Sequence, residues 1–197
     1  MQAHLLLARR LLKAFPKVVN DIYMSEEYYG ENALHFSIVA EDPIMVKFFL
    51  DEGVDIHRRC YGAFFCPDDQ KPHRRDRLDL EEVLVPLRTN YKGYVAWGEY
   101  PLCFAAVLNQ VKSPSKNSIK FNHRIMLGFQ EECYRMILAR GANHDLVDSN
   151  GNSVTHILVV FDNMRMFDLA VECGASINIK NKLNMTPLTV RIKSIYP

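Results

Sequence analysis

The chain has 197 residues and a mass of 22.8 kDa, enough for one or two domains with a sizeable core. Its 48% hydrophobic and 24% charged residues are those of an ordinary globular protein, and nine glycines and nine prolines are too few for a fibrous or disordered chain. Lys and Arg number 24 against 23 Asp and Glu, and the net charge of +1 excludes a global field that would recruit nucleic acid or an anionic membrane.

Five cysteines without framework spacing read as reduced thiols of an intracellular protein. The apolar stretch 157–161 is followed at once by Asp162. It falls far short of the roughly 20 apolar residues that cross a bilayer. Leu5-Leu6-Leu7-Ala8 precedes Arg9-Arg10, the wrong order for a secretory signal. Any membrane-spanning part is therefore expected outside this chain.

In chain order, Leu5, Leu6, Ala8, Leu12 and Phe15 predict an amphipathic helix that Pro16 ends or kinks. Residues 18–23 then lead into a turn at Tyr28-Tyr29-Gly30. Residues 1–29 read as the end of a repeat whose upstream half is missing. Asn32-Ala33-Leu34-His35 starts a short helix, Val46, Phe49 and Leu50 mark the buried face of a second, and Gly53 ends it. A long connection, 58–97, follows this repeat of residues 30–57. Tyr100-Pro101-Leu102 starts the next helix, Tyr134, Ile137 and Leu138 mark its partner, and Gly141 closes the unit.

That unit, 98–147, is interrupted by residues 111–130, where a connection is normally a few residues. Lys112, Lys116, Lys120 and Ser113-Pro114-Ser115 read as a polar loop, with Ile125, Met126, Leu127 and Phe129 as candidates for local packing. A third unit, 148–180, starts its helix behind Ser153 and ends at Gly174. A truncated one, 181–197, begins at Thr186-Pro187-Leu188 and stops before a second helix can form. Both ends are then expected to show apolar faces, which favours association and leaves the isolated chain marginally folded.

Two markers give one period: 33 residues separate Gly141 from Gly174, and 33 separate Ser153 from Thr186. Thr186-Pro187-Leu188 matches the ankyrin pattern T-P-L-H-x-A of about 33 residues, and Leu34-His35 and Pro101-Leu102 match half of it each. The expected fold is all-α, an ankyrin-repeat solenoid of about four full or partial repeats with a long finger loop. One helix pair cannot bury its own apolar face, so neighbours must stack.

The finger is more specific. It opens with Gly62-Ala63-Phe64-Phe65 and closes with Trp97-Gly98-Glu99-Tyr100-Pro101-Leu102. With Tyr28-Tyr29-Gly30-Glu31-Asn32-Ala33-Leu34-His35, Phe104-Ala105-Ala106 and Asn109-Gln110, it resembles the vanilloid-type transient receptor potential channels, invertebrate-type members above all. The resemblance runs from about Leu5 to Thr189, apart from the insert. It implies a fragment lacking the pore: the cytosolic N-terminal ankyrin domain of a tetrameric, usually calcium-permeable cation channel. It also implies that the finger packs against the neighbouring subunit of a homo- or hetero-tetramer. Phe64, Phe65, Tyr94 and Trp97 would be its partner contacts, the alternative being packing within their own finger.

In some members of that family the concave face binds ATP or calmodulin. The corresponding edge here would hold Tyr28 and Glu31, and an acidic side chain at Glu31 argues against a triphosphate. A solvated edge is the plainer reading. No cofactor and no nucleic-acid partner are expected.

Other constellations carry less. His57, Cys60, Cys66 and His73 lack the C-x2-4-C spacing of structural zinc sites, so no metal is expected. The basic run 71–77 is flanked by Asp68, Asp69, Asp79, Glu81 and Glu82, which fits a mixed-charge loop tip. His35 and His156 stand at helix starts, where the ankyrin histidine bridges successive turns. Neither has a nucleophile and third group nearby in sequence, and an enzyme is not expected. A free-standing ankyrin adaptor that binds a protein partner is the alternative to a channel domain.

Overall fold

The computed structural model describes residues 2–25, 28–60, 99–107, 120–148 and 150–195. Among them every regular element is helical, with no strand. Helix α1 spans Gln2–Ala14, and a short 3-10 helix, Pro16–Asn20, follows. Pro16 opens that 3-10 turn, because its fixed φ suits a first helical position and its ring cannot continue α1.

Among the described residues, three helix pairs and a single helix come next. They are α2 (Ala33–Val39) with α3 (Pro43–Asp51), α4 (Pro101–Val107) with α5 (Lys120–Leu138), α6 (Val154–Val160) with α7 (Met164–Glu172), and then α8 (Pro187–Ile195). The first helix of each unit touches the next, α2 on α4, α4 on α6 and α6 on α8. Each also packs on its own partner, and α3 packs on α5. The buried core therefore runs as a continuous strip, from Leu34 and Ile38 through Phe104 and Tyr134 to Leu158 and Met166.

Local chemistry explains the boundaries. Asn32 accepts hydrogen bonds from the backbone N–H of Leu34 and His35, and Asp42 from those of Ile44 and Met45. Each satisfies donors that a helix start leaves open. The second helix of each pair ends in one motif. Val54 donates to Phe49, Ala142 to Ile137 and Ala175 to Ala170, with Gly53, Gly141 and Gly174 at positive φ. These are Schellman closures, and glycine suits their left-handed position. Behind each glycine a polar side chain folds onto the backbone two residues on: Asp55 onto His57, Asn143 onto Asp145, Ser176 onto Asn178.

One expectation is corrected. Residues 111–130 are not a polar loop throughout, because helix α5 starts at Lys120 and carries 120–130 without a break into the helix of Tyr134 and Ile137. Once a helix exists, each added residue gains a hydrogen bond, and no proline interrupts this stretch. Gln130, at the end of the insert, is fully buried. The expected apolar ends are present: Leu6, Leu7 and Leu11 on α1, Phe15 just after it, and Leu188 and Ile192 on α8 are exposed.

Glycine substitutions separate two costs. A Cβ on Gly53 (φ +80°) would meet nothing, whereas one on Gly151 (φ +77°) would lie 2.8 Å from the backbone nitrogen of Lys182. Gly53→Ala is expected to destabilise by about 1 kcal/mol from the backbone alone. Gly151→Ala should cost at least about 1 kcal/mol more, since backbone must move. Urea melts of the two variants check the order.

Candidate functional site

The site is the place where the two ends of segment 61–98 meet. In four turns of the chain a backbone N–H donates to the carbonyl just ahead of an inner helix. Tyr23 donates to Glu31 (2.7 Å), Cys60 to Glu99, Asp148 to Asn152 and Asn181 to Met185 (each 2.9 Å). The last two turns are short. In the second turn the whole segment 61–98 lies between donor and acceptor, so Cys60 and Glu99 form its base.

Side chains reinforce that base. Arg59 Nε lies 2.6 Å from Glu99 Oε2, with the side chains 18% and 4% exposed. Glu99 sits at φ +65°, a strained conformation for a residue with a Cβ, and the pair helps to hold it there. Arg58 faces His35 and Cys60 with its charge, and its Nε has no hydrogen-bond partner among the described residues. Two further carboxyls are buried nearby. Asp148 accepts the backbone N–H groups of Asn150 and Asn152 at 2.8 Å and faces Glu99. Glu31 is 5% exposed and faces Cys60.

Burial sets the protonation states. Desolvation pushes Glu31 up to about 7. It raises Asp148 too, helped by the Glu99 charge. The Cys60 thiol is driven well up by burial and then by Glu31 and Glu99, and Cys103 rises for like reasons, so both stay thiols. His35, fully buried, is lowered to about 3, mainly by desolvation.

Of the two histidines expected to bridge successive turns, His156 does so and His35, among the described residues, bonds only within its own turn. His156 takes the Ser153 N–H on Nδ1 (3.2 Å) and donates Nε2–H to the Met185 carbonyl (3.0 Å). His35 takes the Asn32 N–H on Nδ1 (3.2 Å), and its Nε2 faces the Glu99 carbonyl without well-formed hydrogen-bond geometry. Phe104 packs edge-on against the His35 ring at 4.9 Å.

Phe64, Phe65, Tyr94 and Trp97, and with them Cys66, His73 and the basic run 71–77, lie outside the described residues. Among those described no group of His, Cys, Asp and Glu could hold a metal. His57 instead accepts the Asn143 N–H at 3.2 Å. Tyr28 and Glu31 do adjoin, but the solvated edge is corrected at Glu31, which is buried. Its carbonyl belongs to the turn bond with Tyr23, and its side chain turns inward. Tyr28 is half-buried against Tyr23 (6.3 Å), which meets Phe36 edge-on at 5.6 Å. Tyr23 and Phe36, 48% and 45% exposed, were not singled out by the sequence. The hairpin between Tyr23 and Gly30 brings them to Tyr28, and no periodicity announces it.

With this geometry in place, the comparisons can be read. No protein-family model matches the chain. The chain is similar to vanilloid-subfamily channels. It is 26% identical to transient receptor potential cation channel subfamily V member 4 of Rattus norvegicus over 192 residues, 89% of this chain and 18% of that protein. The Homo sapiens protein of that name is 27% identical over 148 residues, 75% of this chain and 13% of its own length. The Mus musculus protein is 26% identical over 192 residues. The chain thus spans less than a fifth of these relatives, which are by name cation channels and not enzymes. No helix among the described residues is long and apolar enough to cross a membrane.

Removing Arg59 would leave Glu99 buried without its ion-pair partner. Arg59→Gln is expected to cost about 3 kcal/mol, near the low end for a broken buried pair because Arg59 keeps some exposure. Glu99→Gln should cost less, since it leaves the more exposed partner alone. Chemical denaturation of both variants tests the ranking.

Proposed function

We propose that the chain is an ankyrin-repeat segment that serves as the assembly and regulatory domain of a calcium-permeable cation channel, on the cytosolic side of the membrane. The observation that carries this reading is the four-fold turn bond, interrupted in one turn by a long segment pinned at Arg59, Cys60 and Glu99. Stacked helix pairs with Schellman-closed second helices and the bridging His156 support the ankyrin assignment. Similarity to the vanilloid-subfamily channels over most of the chain supports the channel context. In this reading the repeats are 30–57, 98–147 and 148–180, flanked by partial units at 1–29 and 181–197, with the finger at 58–97.

The finger's role is contact with a neighbouring subunit, through Phe64, Phe65, Tyr94 and Trp97. Aromatic side chains supply large contact area at small entropic cost. A free-standing adaptor is the second reading, favoured by the exposed pair Tyr23 and Phe36, which would suit a protein partner as well as a subunit. A six-helix pore region on the same transcript decides for the channel. Calmodulin stays a candidate partner by resemblance alone. ATP is left out of this reading, because an acidic residue stands at Glu31 where the resemblance would place a triphosphate.

Deleting residues 64–97 from the complete channel is expected to reduce tetramer assembly or current by several-fold, read by native electrophoresis and whole-cell recording. Unchanged assembly and gating would rule out the finger as a subunit contact.

A further inference from the structure

We propose that the two end faces of the described stack dock on one another between copies of the chain, with α2 of a second copy stacked on α8 and its α1 in the outer layer beside α8. The repeat register shows which residues such a contact would bury. Counting from the residue ahead of each inner helix (Asn32, Tyr100, Ser153, Thr186), the fourth position on holds Phe36, Phe104, Ile157 and Val190. The last three are 3% exposed or less, and Phe104 packs on His35 of the unit before. Phe36 is 45% exposed. The second position on holds Leu34, Leu102, Thr155 and Leu188. The first three are 3% exposed or less, and Thr155 donates to the Ser176 carbonyl, in the connection to α8, at 2.9 Å. Leu188 is 68% exposed.

One face thus offers the residue that packs backward, and the other the residue that packs forward. Stacking α2 of one copy on α8 of another would repeat the contact that α4 makes with α2, α6 with α4 and α8 with α6. It would bring Phe36 to Leu188. Ile192, one helical turn beyond Leu188, is also exposed, whereas its counterparts Ile38 and Ala106 are fully buried. The outer layer fits as well. Helix α1 lies beside α3, with the Arg9 guanidinium 6.0 Å from the Phe48 ring centroid. A docked copy would carry α1 into the outer position next to α8, which no described helix fills. Leu7 and Leu11, one turn apart on α1, are exposed there.

Charge favours a second copy in this register. Ion pairs between units run one way: Arg140 to Asp51, Arg165 to Glu131 and Arg191 to Asp162, each arginine from the later unit and each acid from the earlier one. Residues 1–20 carry Arg9, Arg10, Lys13 and Lys17, all exposed, and no acidic residue. None of the four has an ion pair among the described residues. At the other end Glu172 is exposed and likewise without an ion pair among those residues. It stands two residues ahead of Gly174, as Asp51 stands ahead of Gly53, and so where the next outer helix would bring its cation. Lys193, exposed on α8, is the like charge that this pairing must outweigh. The two faces differ, so the contact is head-to-tail and leaves one free face at each end of any assembly.

The test is analytical ultracentrifugation of the 197-residue chain over a wide concentration range. Its mass should rise beyond a dimer without a plateau and fall again on dilution. Phe36→Glu blocks one face and Leu188→Glu the other, each at an exposed site, so circular dichroism should show both variants folded. Each alone should be monomeric, and an equimolar mixture of the two should form a heterodimer and nothing larger. Glu172→Lys should weaken association of the otherwise unchanged chain roughly five-fold, the scale of an exposed ion pair. A chain that stays monomeric overturns the proposal and leaves these faces to helix pairs of another polypeptide. So do aggregates that dilution does not reverse, association of either glutamate variant alone, a mixture that fails to dimerise while the unchanged chain assembles, or a Glu172→Lys chain that associates as tightly as the unchanged one.

Discussion

A backbone amide donating to the carbonyl ahead of an inner helix recurs in four turns, and the contacts between units depend on it. The bond fixes the direction of that carbonyl, and the same carbonyl is what the preceding unit's histidine approaches. His156 completes this with a 3.0 Å bond to Met185, so one oxygen serves both its own turn and the previous helix. The ring must be neutral to accept on one nitrogen and donate on the other. Desolvation lowers the affinity of His156 for a second proton, and the packing that buries the ring thereby preserves its bonding pattern. Side chains then tie turn to turn: Asn32 Nδ2 to the Asp55 carbonyl, Ser176 N–H to Asp145, Asn181 Nδ2 to Asn152.

Cys103 shows what happens where the histidine is replaced. It stands three residues after Tyr100, as His35 stands after Asn32 and His156 after Ser153. The Tyr100 backbone still reaches its sulfur, but a thiol cannot span to the Asn152 carbonyl of the next unit. That turn relies on Asp148, whose carboxylate gathers the Asn150 and Asn152 amides. A buried carboxyl is a costly substitute for an amide, and it brings to this turn the charge that Asn181 avoids in the next.

The parts legible in the sequence are those with a local cause. Gly53, Gly141 and Gly174 announced helix ends because a Schellman closure needs a left-handed residue. Asn32 and Ser153 announced helix starts by their caps. Glu41 and Asp162, at φ +56° and +59° between paired helices, were not legible, since their residue types carry no such signal. The helical run 120–130 was hidden by its neighbours: Lys112, Lys116, Lys120 and Ser113-Pro114-Ser115 read as a polar loop, while continuity with the Tyr134 helix decides for helix from Lys120 on. Glu31 was misread for a related reason. A charged residue beside a turn is usually solvated, whereas the fold leaves Glu31 only 5% exposed.

The position of the long segment also has a physical reason. Between the donor and acceptor of the turn bond, the Asp148 turn holds residues 149–151, whereas the Cys60 turn holds 61–98. The closure entropy of a chain segment grows only as the logarithm of its length, so a segment of the greater length costs about 2 kcal/mol more than a three-residue turn. One hydrogen bond of about 1 kcal/mol does not offset that. The turn therefore needs a further contact at its base, and the sequence supplies one only there. The residues flanking the bond are Arg59 and Glu99 in the interrupted turn, but Val147 and Asn152, or Lys180 and Met185, in the short ones. An oppositely charged pair appears where the chain must be held against entropy and is absent where three residues close the turn unaided. Burying that pair gives it direction as well as strength, since a guanidinium placed at 2.6 Å from one carboxylate oxygen orients Arg59 and Glu99 against each other on either side of the turn bond.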